Sequence, residues 1–131
     1  MATIKSFTSL EQSRKLAKIL PLESADQTWA RIAIDGANLD VPEELQYRHN
    51  GDMPFQYYSG IGTPCWSLAA LLKYLSEIKP QVYTPVLFPS ESKWILQFAE
   101  YSHGNVYEVS CDNPIDACVK MIEKLNELKM L

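Results

Sequence analysis

The chain has 131 residues, 47% of them hydrophobic and 21% charged, and a formal net charge of −4. That length supports one core and a single domain over 1–131, and the composition is that of a globular rather than a disordered chain. Twelve Lys and Arg against sixteen Asp and Glu, with no basic stripe, argue against nucleic-acid binding, and no apolar run approaches the ~20 residues that span a bilayer.

Residues 8–20 read as a first helix. Thr8 is placed to accept a backbone N–H as N-cap and Glu11 to return the bond, a capping box. Leu16, Ile19 and Leu20 form its apolar stripe, and Pro21 ends it. Residues 27–34 (QTWARIAI) read as a strand. Residues 35–62 carry turn signals at DGANLDVPEEL, HNGDMP and SGIG, with LQYRH and FQYY as short strands between them.

A second helix is predicted from Pro64, with Thr63 as N-cap and Pro64 at the first helical position, where its missing N–H is not needed. Leu68, Leu71, Leu72 and Leu75 give it one buried stripe, and Pro80 follows its end. Three strands follow, over 82–88, 94–101 and 105–110. The last two are joined by SHGN, a hairpin turn in which Gly104 takes positive φ. Pro85 cannot donate to a ladder, so the first of the three belongs at an edge or carries a bulge. The final helix opens with Asn113 as N-cap, Pro114 at the first position and Asp116 at the third, where the helix dipole favours a carboxylate. Ile115, Cys118, Ile122 and Leu125 share one face, with Lys120, Glu123, Lys124 and Glu127 elsewhere. The expected fold is α+β: a mainly antiparallel sheet of four to five strands with three helices packed on one face.

The three cysteines are an odd number, and Cys118 falls on a core face. That usage, with no uninterrupted apolar stretch near the N-terminus, fits a reducing cytoplasm without a disulfide framework. Cys65 is the one residue with a catalytic reading. At the second position of a predicted helix, unpaired N–H groups and the dipole would favour its thiolate. His103 would then act as general base, with Asn105 or Asn113 orienting the ring. PCWSLAA is similar to the Cys-Trp segment of papain-like hydrolases. Against this, Pro64 replaces the glycine-rich surround, no glutamine precedes the cysteine to build an oxyanion hole, and a His at a tight turn is more naturally solvated. The competing reading makes Cys65 a small buried hydrophobe, and it is preferred.

His49, His103 and the cysteines show no metal-ligand spacing, so no metal site or cofactor is expected. Glu43 and Glu44, and Glu23 with Asp26, read as solvated loop charges. SGIGTP offers a glycine-rich lead into a helix, but without the lysine of a phosphate-binding loop. Trp29, Trp66 and Trp94 read as core rather than as a ligand box.

Three stretches carry a family resemblance: SLEQSRKLAKILPLESAD, TPCWSLAALLKYL and NPIDACVKMIEKLNELKML. In them the chain resembles small proteins of unknown function common in gut bacteria and in their phages and mobile elements. The resemblance implies a cytoplasmic single-domain protein of the kind that mobile elements encode, and brings no activity, ligand or catalytic residue.

The functional expectation is a small, non-enzymatic binding or interaction protein; the alternative is a papain-like cysteine hydrolase using Cys65 and His103. Residues 82–88 are apolar on both faces, and Met121, Leu128, Met130 and Leu131 extend the apolar surface of the last helix. Either the monomer covers this surface or a two-fold homodimer does.

Overall fold

The computed structural model describes residues 5–30, 46–49, 62–101, 104 and 106–131. The chain divides into two compact units: Ser9–Trp66, and Met1–Thr8 together with Ser67–Leu131.

In the first unit, α1 spans Leu10–Leu16 and is capped by Ser9, one residue later than the sequence suggested. Ser9 Oγ accepts from Gln12 N–H at 3.2 Å and Gln12 Oε1 accepts from Ser9 N–H at 3.0 Å. The capping box therefore uses Ser9 and Gln12, the next pair along, rather than Thr8 and Glu11. Thr8 is buried, and Glu11 stays exposed beside Lys15, 3.9 Å away. After Leu16 the chain turns through Leu20 to a 3-10 turn at Leu22–Ser24.

Strands β1 (Gln27–Ala30), β2 (Gln46–His49) and β3 (Gly62–Cys65) form an antiparallel sheet in the order β2–β1–β3. β1 thus begins where the sequence placed it, and β2 lies within LQYRH. Residues 31–34 and the FQYY segment lie outside the described residues.

β3 corrects the sequence reading. TPC is strand, not the first turn of a helix: Thr28 faces Pro64 and Gln27 faces Cys65 across the ladder. Proline signals two things here, a helix start or an edge strand, and among the described residues β3 has only β1 beside it. Trp66 follows β3, fully buried, and its indole N–H donates to Ser24 Oγ at 2.9 Å.

The second unit opens on residues 5–8, where Phe7 bridges to Ser67. Helix α2 spans Leu68–Ser76, and its N-cap is Ser67, whose Oγ accepts from Ala70 N–H at 3.1 Å. Leu71 and Leu75 are fully buried, and Leu68 and Leu72 are half-buried.

β4 (Tyr83–Ser90), β5 (Lys93–Glu100) and β6 (Val106–Cys111) form an antiparallel meander with β5 in the middle. The expected hairpin between the last two strands is present, with Gly104 at φ 69. Pro85 lies opposite Phe98 on β4, an edge strand among the described residues. Helix α3 spans Pro114–Glu127 with the predicted cap: Asn113 Oδ1 accepts from Asp116 N–H at 2.9 Å. Asp116 Oδ1 also accepts from Lys5 Nζ at 2.9 Å, which ties residues 5–8 to the start of α3.

The protein is α+β, but among the described residues the strands fall in two antiparallel sheets of three strands each rather than one sheet of four to five. Helices α2 and α3 pack on each other, α2 against β4 and α3 against β5 and β6. Leu96, Phe98 and Val109 are buried on the face they cover, and Ile115, Cys118, Met121, Ile122 and Leu125 are buried on α3. The opposite face, by the alternation of the pleat, carries Val86, Ile95, Gln97, Val106 and Glu108.

Candidate interaction groove

Cys65 ends β3, fully buried, and no helix begins there. Cys65 therefore does not occupy the first turn of a helix, the position that was to favour its thiolate. Its cross-strand neighbour is Gln27, and Gln27 faces the backbone of His49 on its other side. Gln27 is itself buried, and among the described residues its Oε1 has no hydrogen-bond partner. His103 and Asn105 lie outside the described residues, as do Glu43 and Glu44. Asn113 is committed to the α3 cap: besides accepting from Asp116 N–H, its Nδ2 donates to Asp116 Oδ2 at 2.7 Å.

The remaining sequence candidates resolve as structure. Gly62, Thr63 and Pro64 are strand, so the SGIGTP segment does not lead directly into a helix N-terminus. Trp66 is core, while Trp29 and Trp94 are half-buried on their strands. Among the described residues no group of three or more His, Cys, Asp or Glu is arranged to hold a metal ion, and no helix is long and apolar enough to cross a membrane. All three cysteines are thiols. Burial pushes Cys118 up to about 12, with Cys111 adding to it. Burial also raises Cys111, against the pull of the Lys120 ammonium.

A different place has the character of a site. Between the outer edge of β6 and α3 runs an open groove of about 520 Å³, lined by Glu108, Val109, Ser110, Lys120, Glu123, Lys124 and Glu127. Val109 points toward α3 and is buried, whereas Glu108 and Ser110 alternate to the other face. Gln97 Nε2 accordingly donates to Glu108 Oε1 at 2.9 Å on that far face. What the strand lends to the groove at residues 108 and 110 is therefore mainly backbone. On α3 the four charged residues recur at i, i+3, i+4 and i+7, one stripe along the helix. Lys120 and Glu127 are exposed, and Glu123 and Lys124 are half-buried.

A strand edge can offer N–H and C=O groups to another strand, and a charged helix stripe beside it a pattern of charge to align one. The sequence reading set Lys120, Glu123, Lys124 and Glu127 apart from the apolar face of this helix and gave them no role. Their i, i+3, i+4, i+7 repeat was legible there, but the strand edge beside them is a tertiary fact.

Comparison with protein-family models, with curated proteins and with solved structures gives no match to this chain.

Proposed function

We propose that this is a non-enzymatic interaction protein of the cytoplasm that works through the β6–α3 groove. The observation that carries the reading is the open groove itself, where a helix stripe meets a strand edge that is unpaired among the described residues. Supporting it, Cys65 is fully buried at a strand end rather than exposed at a helix start. The three thiols fit a reducing compartment.

The hydrolase reading needs an accessible, low-pKa Cys65, and alkylation tests that directly. With iodoacetamide between about pH 5 and 8, Cys65 reacts only as fast as the protein opens, far below the rate of an activated thiolate. Rapid alkylation selective for Cys65 in the native protein would overturn the interaction reading and restore the hydrolase.

A further inference from the structure

The geometry points to a second copy of this chain as the occupant of the groove, in a two-fold dimer. In it β6 pairs antiparallel with β6 of the other copy, and the two α3 helices lie side by side across the joined sheet. The inference rests on the interaction reading above and names its partner.

Of the two edges of the β4–β5–β6 sheet, β6 is the one able to take a strand. β4 carries Pro85 and Pro89, which remove ladder donors, whereas β6 reads VYEVSC with neither proline nor glycine. Among the described residues its only neighbour is β5. The contact thus leaves residues 82–88, one of the two surfaces the sequence suggested, for the opposite side of the sheet, beside the C-terminal helix that was the other.

The charges on α3 are self-complementary. A two-fold axis normal to the sheet sets α3 antiparallel to its mate. With the axis between residues 123 and 124, Lys120 faces Glu127 of the second copy and Glu123 faces Lys124. Every lysine of the stripe meets a glutamate, and no like pair is opposed.

The same axis suits the strand. The groove is centred on Val109 along β6 and on residues 123 and 124 along α3. Pairing β6 about Val109 puts Glu108 opposite Ser110 of the second copy, whereas pairing about Glu108 would oppose two carboxylates. Spacing agrees as well. Strands lie about 4.8 Å apart, and α3 packs over both β5 and β6, so the symmetric copy sets the helices about 10 Å apart, within the range of packed helices.

Sedimentation equilibrium with charge-swapped variants tests this. Wild-type protein at about 50 µM sediments as a dimer. The variant Lys120→Glu/Lys124→Glu and the variant Glu123→Lys/Glu127→Lys each oppose like charges and self-associate at least about tenfold more weakly. Mixed in equal amounts, the two restore a dimer containing one of each. A monomeric wild type overturns the proposal, as does a mixture that fails to associate or a charge-reversed variant that dimerises like wild type. The wild-type mass requires no variant to fold, and far-ultraviolet circular dichroism checks the rest. Failure here is distinct from failure of the interaction reading: a monomer removes the dimer and leaves Cys65 unreactive, while rapid Cys65 alkylation removes the broader reading whatever the mass.

Discussion

Cys118 sits on the buried side of α3, where burial lifts its thiol from an ordinary 9.0 to about 12. The unfolded chain releases this proton above pH 9, while the folded chain keeps it to about pH 12. The native state therefore binds more protons in that window, and stability falls as pH rises through it, by up to about 1.4 kcal/mol per pH unit from this one group. Below pH 9 its contribution is complete. Denaturant unfolding at about pH 8 and about pH 10.5 should show the loss, and Cys118→Ala should flatten it; an unchanged alkaline slope in that variant would contradict the assignment. Cys65 gives a second test at this scale. Cys65→Ser puts a hydroxyl where a weakly polar sulfur is buried and should cost about 1–3 kcal/mol if the hydroxyl gains no partner. Unchanged thermal stability would mean that the residue is solvated.

The ends of the helices show what was legible in the sequence and what was not. Asn113, Pro114 and Asp116 form one unambiguous start, and α3 begins there as read. TPCWS contains two candidate caps, Thr63 and Ser67, and Pro64 drew the reading to the first. The leucine stripe starts at Leu68, directly after the true cap, so that signal was present but outranked. Ser67→Ala should accordingly cost about 1 kcal/mol of stability, and Thr63→Ala should leave the helicity of α2 unchanged; circular dichroism and denaturant unfolding of both variants separate the two assignments. The other end of α3 closes in a way that the sequence did not reveal. Lys129 takes φ 58, Met130 N–H donates to Leu125 C=O at 2.9 Å, and Lys129 N–H donates to Asn126 C=O at 3.0 Å. This is a Schellman motif with a lysine where glycine is usual. Glu91, the first of two loop residues between β4 and β5, takes φ 55 under the same constraint. Lys129→Gly should raise stability by about 0.5–1 kcal/mol, measured as a shift in denaturant midpoint; a loss would mean that the lysine side chain contributes more than its backbone strain costs.

At the scale of the whole molecule, the strands were mostly found but their partition was not. Periodicity marks a segment as strand without saying which strand it pairs with, and here pairing is local: β4, β5 and β6 are consecutive neighbours, while β1 collects β2 and β3 into a separate sheet. The groove was missed for the same reason, because its charges lie on one element and its open edge on another. If β6 is the edge through which two copies pair, as proposed, amide hydrogen exchange along residues 106–111 at two protein concentrations reads it out residue by residue. Protection of these amides should rise with concentration while that of β4 does not. Protection of β6 that is independent of concentration would contradict it.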